Sequence, residues 1–278
     1  MYRTSKPYTN KLIDIISTTW SNPYCHVYKT SDYPIVEEIV FRKKIHTDGI
    51  GTKGKLHWKY KTLTAAVQDA MAMNLNDMLT YKALPYMINA HLTLPKDDDN
   101  SIFTVVEELA YECRKRGIAY VGGETSIMDN IDGMDLSITM TGSSLYQREQ
   151  KANLGDAIVG FASSGIHCNG LTLARKIMDE NTPGLTTPTT IYIDSLWTEL
   201  FNANAVINVT GGAFTRLKHL LNENIDIKIK HFHKLRPQKI FFDIYNDGFD
   251  CFSVNSPVMY STFNCGIGLI EDREYCVV

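Results

Sequence analysis

The spacing of apolar residues changes several times along the chain, and each change predicts an element. Leu12, Ile13, Ile16 and Trp20 recur at helical spacing, which predicts a short amphipathic helix over residues 10–20. Ile35 to Phe41 reads as a strand running towards an acidic turn, His46-Thr47-Asp48-Gly49-Ile50-Gly51-Thr52-Lys53. Residues 64–79 are rich in strong helix formers and almost without glycine or proline, so they predict a buried helix. On it Asp69 and Asn76 share a face, and Asp77 stands about 80° round from Asp69 at 100° per residue. Tyr86 to Leu94 alternates as a strand up to Pro95. Ile102 to Arg116 has the pattern of an amphipathic helix with Gly117 as its C-cap. Ile118 to Val121 is a short strand entering Gly122-Gly123-Glu124-Thr125, and Met134 to Thr141 a half-buried strand that closes a first domain.

The turn from Lys151 to Asp156 marks the boundary, giving domains over residues 1–150 and 151–278. Beyond it, Ala157 to Phe161 reads as a strand, Ser163 to Gly170 as a loop and Leu171 to Met178 as the start of a helix. Val206 to Thr210 is again a strand, entering Gly211 and Gly212 and then a helix over Arg216 to Leu221; Ile225 to Ile229 alternates as a further strand. His231 and His233 share a strand face but lack a third ligand, and read as surface residues.

Composition adds mainly exclusions. With 44% hydrophobic and 21% charged residues the chain is ordinary globular protein, and a net charge of -3 without a basic block leaves no footprint for nucleic acid or an anionic membrane. No run reaches the ~20 apolar residues of a membrane helix, and the six scattered cysteines read as reduced thiols, so a cytoplasmic setting is expected. The chemistry concentrates where glycines meet acids. Asp48 and Lys53 beside Gly49 and Gly51 suggest a phosphate and metal site, although the spacing is neither a Walker A loop nor G-x-G-x-x-G. Carboxylates on an apolar helix want a cation or donors, which applies to Asp69 and Asp77; the plainer alternative makes Asp77 a local cap. Small residues and glycine ahead of a helix, as in Ser163 to Gly170, suit an anion.

Six blocks in order carry a resemblance: Thr47 to Lys53, Asn76-Asp77, Gly122 to Thr125, Ser163 to Gly170, Thr210 to Gly212, and Met259-Tyr260 with Phe263 to Gly266. From about His46 to Ile270 the chain resembles aminoimidazole ribonucleotide synthetase, the phosphoribosylformylglycinamidine cyclo-ligase of purine biosynthesis. The resemblance implies an α/β (α+β) fold of two domains, and a homodimer whose first-domain sheets pair into a β-barrel. It implies ATP and Mg²⁺ in the first domain and formylglycinamidine ribonucleotide, held by its phosphate, in the second. In these terms Asp48, Asp77 and Glu124 are metal candidates. Thr47, Asp48, Gly49, Gly51, Thr52, Lys53, Asp69, Asn76, Gly122, Gly123, Glu124 and Thr125 are expected around the nucleotide. Ser163, Ser164, Gly165, His167, Asn169, Gly170, Thr210, Gly211 and Gly212 are expected around the substrate, with Lys53 and His167 as catalytic candidates.

Some positions depart from the family's pattern. Residues 1–40 do not match its aspartate-alanine-glycine-valine run or its glycine-rich nucleotide cover, Ala213 stands for a usual glycine, and Ser261 for a usual arginine. The family's helical extension is not matched after Ile270, so a compact form is expected. Two other readings stay open: another ATP-dependent enzyme of the same superfamily that phosphorylates a small molecule, and a non-catalytic nucleotide-binding partner subunit.

Overall fold

The computed structural model describes residues 8–29, 34–38, 42–144, 151–220, 237–248 and 258–273. The strand expected over Ile225 to Ile229 lies outside the described residues, as do His231, His233 and Cys276. The chain divides into two compact units, Met1–Met78 with Ala83–Leu145, and Leu79–Lys82 with Tyr146–Val278.

The first unit runs α1 (Thr9–Ser17), β1 (Cys25–Lys29), β2 (Pro34–Glu38), β3 (Lys43–Gly49), α2 (Lys53–Tyr60), α3 (Leu63–Thr80), β4 (Ala83–Leu94), α4 (Asp99–Arg116), β5 (Ala119–Ile127) and β6 (Asp135–Ser144). Four strands form one sheet in the order β3-β6-β4-β5, with β4 and β5 parallel and the other pairs antiparallel. Parallel neighbours need a long crossover, and α4 supplies it. Its ends are set locally: Asp98 accepts from Ser101 N at 3.1 Å at the N-terminus, and Gly117 closes the other end at φ 66°. Between Ala66 and Leu79 every residue of α3 is buried except Gln68 and Asp77, the outcome expected of a helix apolar on nearly all sides. The β1-β2 hairpin places Cys25, Val27 and Val36 with Tyr86, Met87, Ala119 and Val121 in one apolar cluster.

In the first unit two features differ from what the sequence predicts. First, β2 pairs with β1 instead of leading into the acidic stretch. That stretch begins inside β3, because pairing with β6 runs from Lys43 opposite Ser143 to Gly49 opposite Ser137. Only Ile50 to Thr52 remain to turn, with Gly51 at φ 54°, a left-handed conformation that favours glycine. Second, the expected β-barrel is wrong. The four-stranded sheet is open, with β3 and β5 as its edges, and none of the three sheets closes among the described residues. Closure requires the edges to meet, whereas three strand spacings set β3 about 14 Å from β5.

The second unit contains β7 (Ala157–Ala162), α5 (Leu171–Ile177), α6 (Ile193–Leu196), β8 (Ala205–Asn208), α7 (Lys239–Asp247), α8 (Val258–Thr262) and β9 (Ile267–Arg273), with 3-10 turns at Leu200–Asn202 and Ala213–Leu220. Its antiparallel sheet has the order β7-β9-β8, and Ala205, Ile207, Val209, Ala213, Leu217, Ile267 and Ile270 pack together around it. The helix expected over Arg216 to Leu221 is this 3-10 segment. A mixed four-stranded sheet in one unit and an antiparallel three-stranded sheet in the other, with helices in both, make the chain α/β. Among the described residues no helix is long and apolar enough to cross a membrane.

Candidate functional site

In the first unit, alternation along β3 puts His46 and Asp48 on one face of the strand, and the helical period puts Asn74 and Asp77 one turn apart on α3. These four side chains meet. One ligand atom from each of His46, Asp48 and Asp77 lies within 4.8 Å of the others. His46 Nε2 is 3.0 Å from Asp77 Oδ2, and His46 Nδ1 is 3.0 Å from Asn74 Oδ1. Asn74 Nδ2 donates to the backbone oxygens of Asp48 at 3.2 Å and Ala70 at 3.0 Å, while Asp48 Oδ1 accepts from Gly49 N at 2.8 Å. The hydrogen bond to Asp77 raises the His46 pKa above its ordinary value, against a smaller opposing effect of burial. All three metal-capable residues are half-buried, so the cluster is open to a ligand.

A second acid–histidine cluster, on the same helix, is closed. Lys53 Nζ lies 3.0 and 2.9 Å from the two oxygens of Asp69, and the side chains are 1% and 0% exposed. His57 Nε2 adds a contact to Asp69 Oδ2 at 2.8 Å and turns its Nδ1 to Thr62 Oγ1 at 2.7 Å. Lys53 and Asp69, both expected around the nucleotide, are thus directed into the protein and at each other. Asn76 is fully buried in α3.

The remaining first-unit candidates are dispersed. Thr47 points to the other face of β3, with its hydroxyl 3.0 Å from that of Thr139, and Thr52 is exposed ahead of α2. Register places Asp48 in one row with Ile138, Ala90 and Gly123, so Glu124, the next residue on β5, projects from the opposite face at the opposite edge. Within this chain Glu124 does not reach Asp48 and Asp77. It is exposed, and with Gly122, Gly123 and Thr125 it lines a cleft of about 280 Å³ shared with α1 residues such as Leu12 and Ile16. Gly123 is required there: a Cβ would stand 1.8 Å from Ala90 O, and its φ is 154°.

Sequence reasoning missed two members of the open cluster. His46 was legible from its position two residues before Asp48 on a strand. Asn74 was legible only once α3 and β3 were known to face each other.

In the second unit the loop from Ser163 to Gly170 is held by amide and backbone groups. Ser163 Oγ donates to Asn264 Oδ1 at 2.9 Å, Asn264 Nδ2 donates to Gly165 O at 2.8 Å, and Gly266 N donates to Asn264 Oδ1 at 2.9 Å. Asn264 therefore ties the loop to the start of β9. His167 is buried at φ 61°, and its Nε2 accepts from Ser164 N at 3.3 Å and Thr190 N at 3.5 Å. Asn169 Oδ1 lies 3.3 Å from where a Cβ of Gly211 would sit, which brings the Asn169-Gly170 end of the loop beside Thr210 to Gly212; Thr210 itself accepts from Arg216. A cavity of about 600 Å³ is lined by Ser164, Gly165, Thr187 and, from α7, Lys239 and Asp243.

Residues 39–144 match the family described as AIR synthase related protein, N-terminal domain. The chain is 31% identical to phosphoribosylformylglycinamidine cyclo-ligase of Saccharolobus solfataricus, over 95% of this chain and 80% of that protein. It is 35% identical to the protein of the same name from Sulfurisphaera tokodaii, over 81% and 70% of the two chains. The fold is also similar to that of hydrogenase maturation protein HypE, whose structure was determined in complex with ATP, with a TM-score of 0.59 at 17% identity over 98% of this chain and 80% of that one. The chain therefore belongs to the AIR synthase-related family of enzymes.

Proposed function

We propose that the protein is an ATP-dependent enzyme that phosphorylates a small molecule and, more narrowly, that it cyclises formylglycinamidine ribonucleotide to aminoimidazole ribonucleotide with release of ADP and phosphate. The observation that carries the reading is the identity with named cyclo-ligases over nearly the whole chain, together with Asp48 and Asp77 set side by side in a half-open cluster. Two carboxylates at that spacing fit Mg²⁺, which takes hard oxygen ligands. A divalent ion held there would neutralise triphosphate charge, the main demand of phosphoryl transfer.

The chain's own groups divide the work. Asp48 and Asp77 hold the ion and with it the nucleotide. Lys53 serves the site by fastening the Ile50 to Thr52 turn to α3 through Asp69, which keeps β3 in register with the helix. Glu124 and its glycines, at the opposite edge and face of the sheet, can serve a nucleotide held by Asp48 and Asp77 only across a dimer and not within one chain. In the second unit, Ser164, Gly165 and Lys239 face a cavity with room for a ribose phosphate, and His167 and Asn264 hold its rim. Phosphorylation makes the substrate's amide oxygen a leaving group, and the amidine nitrogen of the same molecule then closes the ring. The reading includes a homodimer, for which the open edge of β3 with exposed Ile45 offers a surface.

Purified protein given ATP, Mg²⁺ and formylglycinamidine ribonucleotide is expected to yield aminoimidazole ribonucleotide and ADP in equal amounts, read by mass spectrometry. Nucleotide binding without either product would remove the enzyme reading. ADP formation with a different small molecule alone would leave only the broader one.

A further inference from the structure

The orientation of the Asn74 amide constrains His46. Asn74 Nδ2 already donates to two backbone oxygens, of Asp48 and Ala70, so its Oδ1 must be the atom that faces His46. An oxygen there requires a donor, which puts a proton on His46 Nδ1. The other ring nitrogen, Nε2, then presents its lone pair towards Asp77 Oδ2 at 3.0 Å. Two electron-rich atoms at that separation need a positive centre between them, either a proton or a metal ion. The distance fits both: about 3.0 Å is an ordinary N–H···O separation, and it is also the spacing of ligand atoms about 2.1 Å from a six-coordinate ion at a right angle to each other; what favours the ion is the second carboxylate, Asp48, whose ligand atom lies within 4.8 Å of the other two. A ring whose far N–H is fixed by a hydrogen-bonded partner is also the usual arrangement of a metal-binding histidine.

We infer that His46 completes the divalent-ion site with Asp48 and Asp77, and that the resulting set of one nitrogen and two carboxylates favours a first-row transition dication over Mg²⁺. This deepens the reading in which Asp48 and Asp77 hold the ion, and rests on it. Imidazole nitrogen is a good ligand for transition dications, whereas Mg²⁺ keeps oxygen ligands and water. Asn74 acts as a positioning residue, fixing the ring from behind through a carboxamide that is itself tied to β3 and α3.

The test uses the full chain loaded with Mn²⁺ in the presence of a non-hydrolysable ATP analogue. Pulsed electron spin resonance should detect a directly bound nitrogen at Mn²⁺, and its isotope signature should change when the protein is made with 15N-histidine, which separates imidazole from adenine nitrogen. His46→Gln should abolish the histidine signal and weaken Mn²⁺ binding by about tenfold or more, with Mg²⁺ binding changed by less than about threefold. The labelling experiment needs no substitution, so it stands even where a variant folds poorly. Bound Mn²⁺ without histidine coupling, or coupling that survives His46→Gln, overturns the histidine ligand and leaves the two-carboxylate reading in place. Absence of both Mn²⁺ and Mg²⁺ binding in the unaltered protein overturns both.

Discussion

Two clusters on α3 use nearly the same residues for opposite ends. Asp69 meets His57 and Lys53; eight residues on, about 12 Å along the helix, Asp77 meets His46 with Asp48 nearby. The first is sealed, its side chains at most 1% exposed and its acid contacted by two basic groups. The second is half-buried and its charges converge on a point that solvent reaches. A carboxylate sealed with its cation serves the fold, because opening the pair would strand a buried charge. An equally acidic residue at the protein's margin is available to a ligand. Burial, not residue type, decides which aspartate is structural.

The comparison is broken most directly at Asp69. Asp69→Ala leaves Lys53 buried without its carboxylate, and should cost about 3–5 kcal/mol in the urea unfolding of the first unit. A loss below about 1 kcal/mol would mean that the sealed cluster is no strut. The next largest effect separates charge from shape. Lys53→Met combined with Asp69→Leu removes both charges and fills the space, leaving only the buried His57 Nε2 without its hydrogen-bond partner, so the loss should shrink to about 1–3 kcal/mol. Nucleotide affinity, read by calorimetry, should be kept in this double variant. If it folds well but no longer binds nucleotide, Lys53 reaches the phosphates after all.

These pairings show where the sequence is legible. The apolar run of α3 announces a buried helix, and it flags Asp69 and Asp77 as acids in need of partners. The partners themselves are hidden, since Lys53 and His57 come from α2, whose stretch of Lys53 to Tyr60 mixes three lysines and a histidine with little apolar periodicity. Strand β9 is similarly obscured: Gly266 and Gly268 interrupt its apolar pattern and no strand is expected there, yet β9 is the central strand of the second unit's sheet. The position of Glu124 is set by register across four strands, a property of long-range pairing that no local pattern contains. The resemblance implies one metal site for Asp48 and Glu124, whereas within this chain the sheet puts them on different faces. The second-unit loop was legible as a motif. Its fastening by Asn264 was not, because the two lie about a hundred positions apart in the chain and are joined only by folding.

The smallest expected change in stability sharpens the contrast furthest. Asp77→Asn keeps the size of the side chain and offers an amide N–H to the lone pair of His46 Nε2, and the group is 17% exposed, so the pair it replaces is partly screened by water. Its unfolding free energy should therefore shift by less than about 1 kcal/mol. Affinity for the divalent ion should fall by about tenfold or more, because an amide oxygen lacks the charge of the carboxylate it replaces. The two variants then reverse each other's profile: Asp69→Ala costs stability before binding, and Asp77→Asn costs binding while sparing the fold. Parallel urea titrations and ion calorimetry on both proteins check this directly. Equal losses of stability would make the open cluster a second strut, and Asp77 would cease to be a ligand-facing residue.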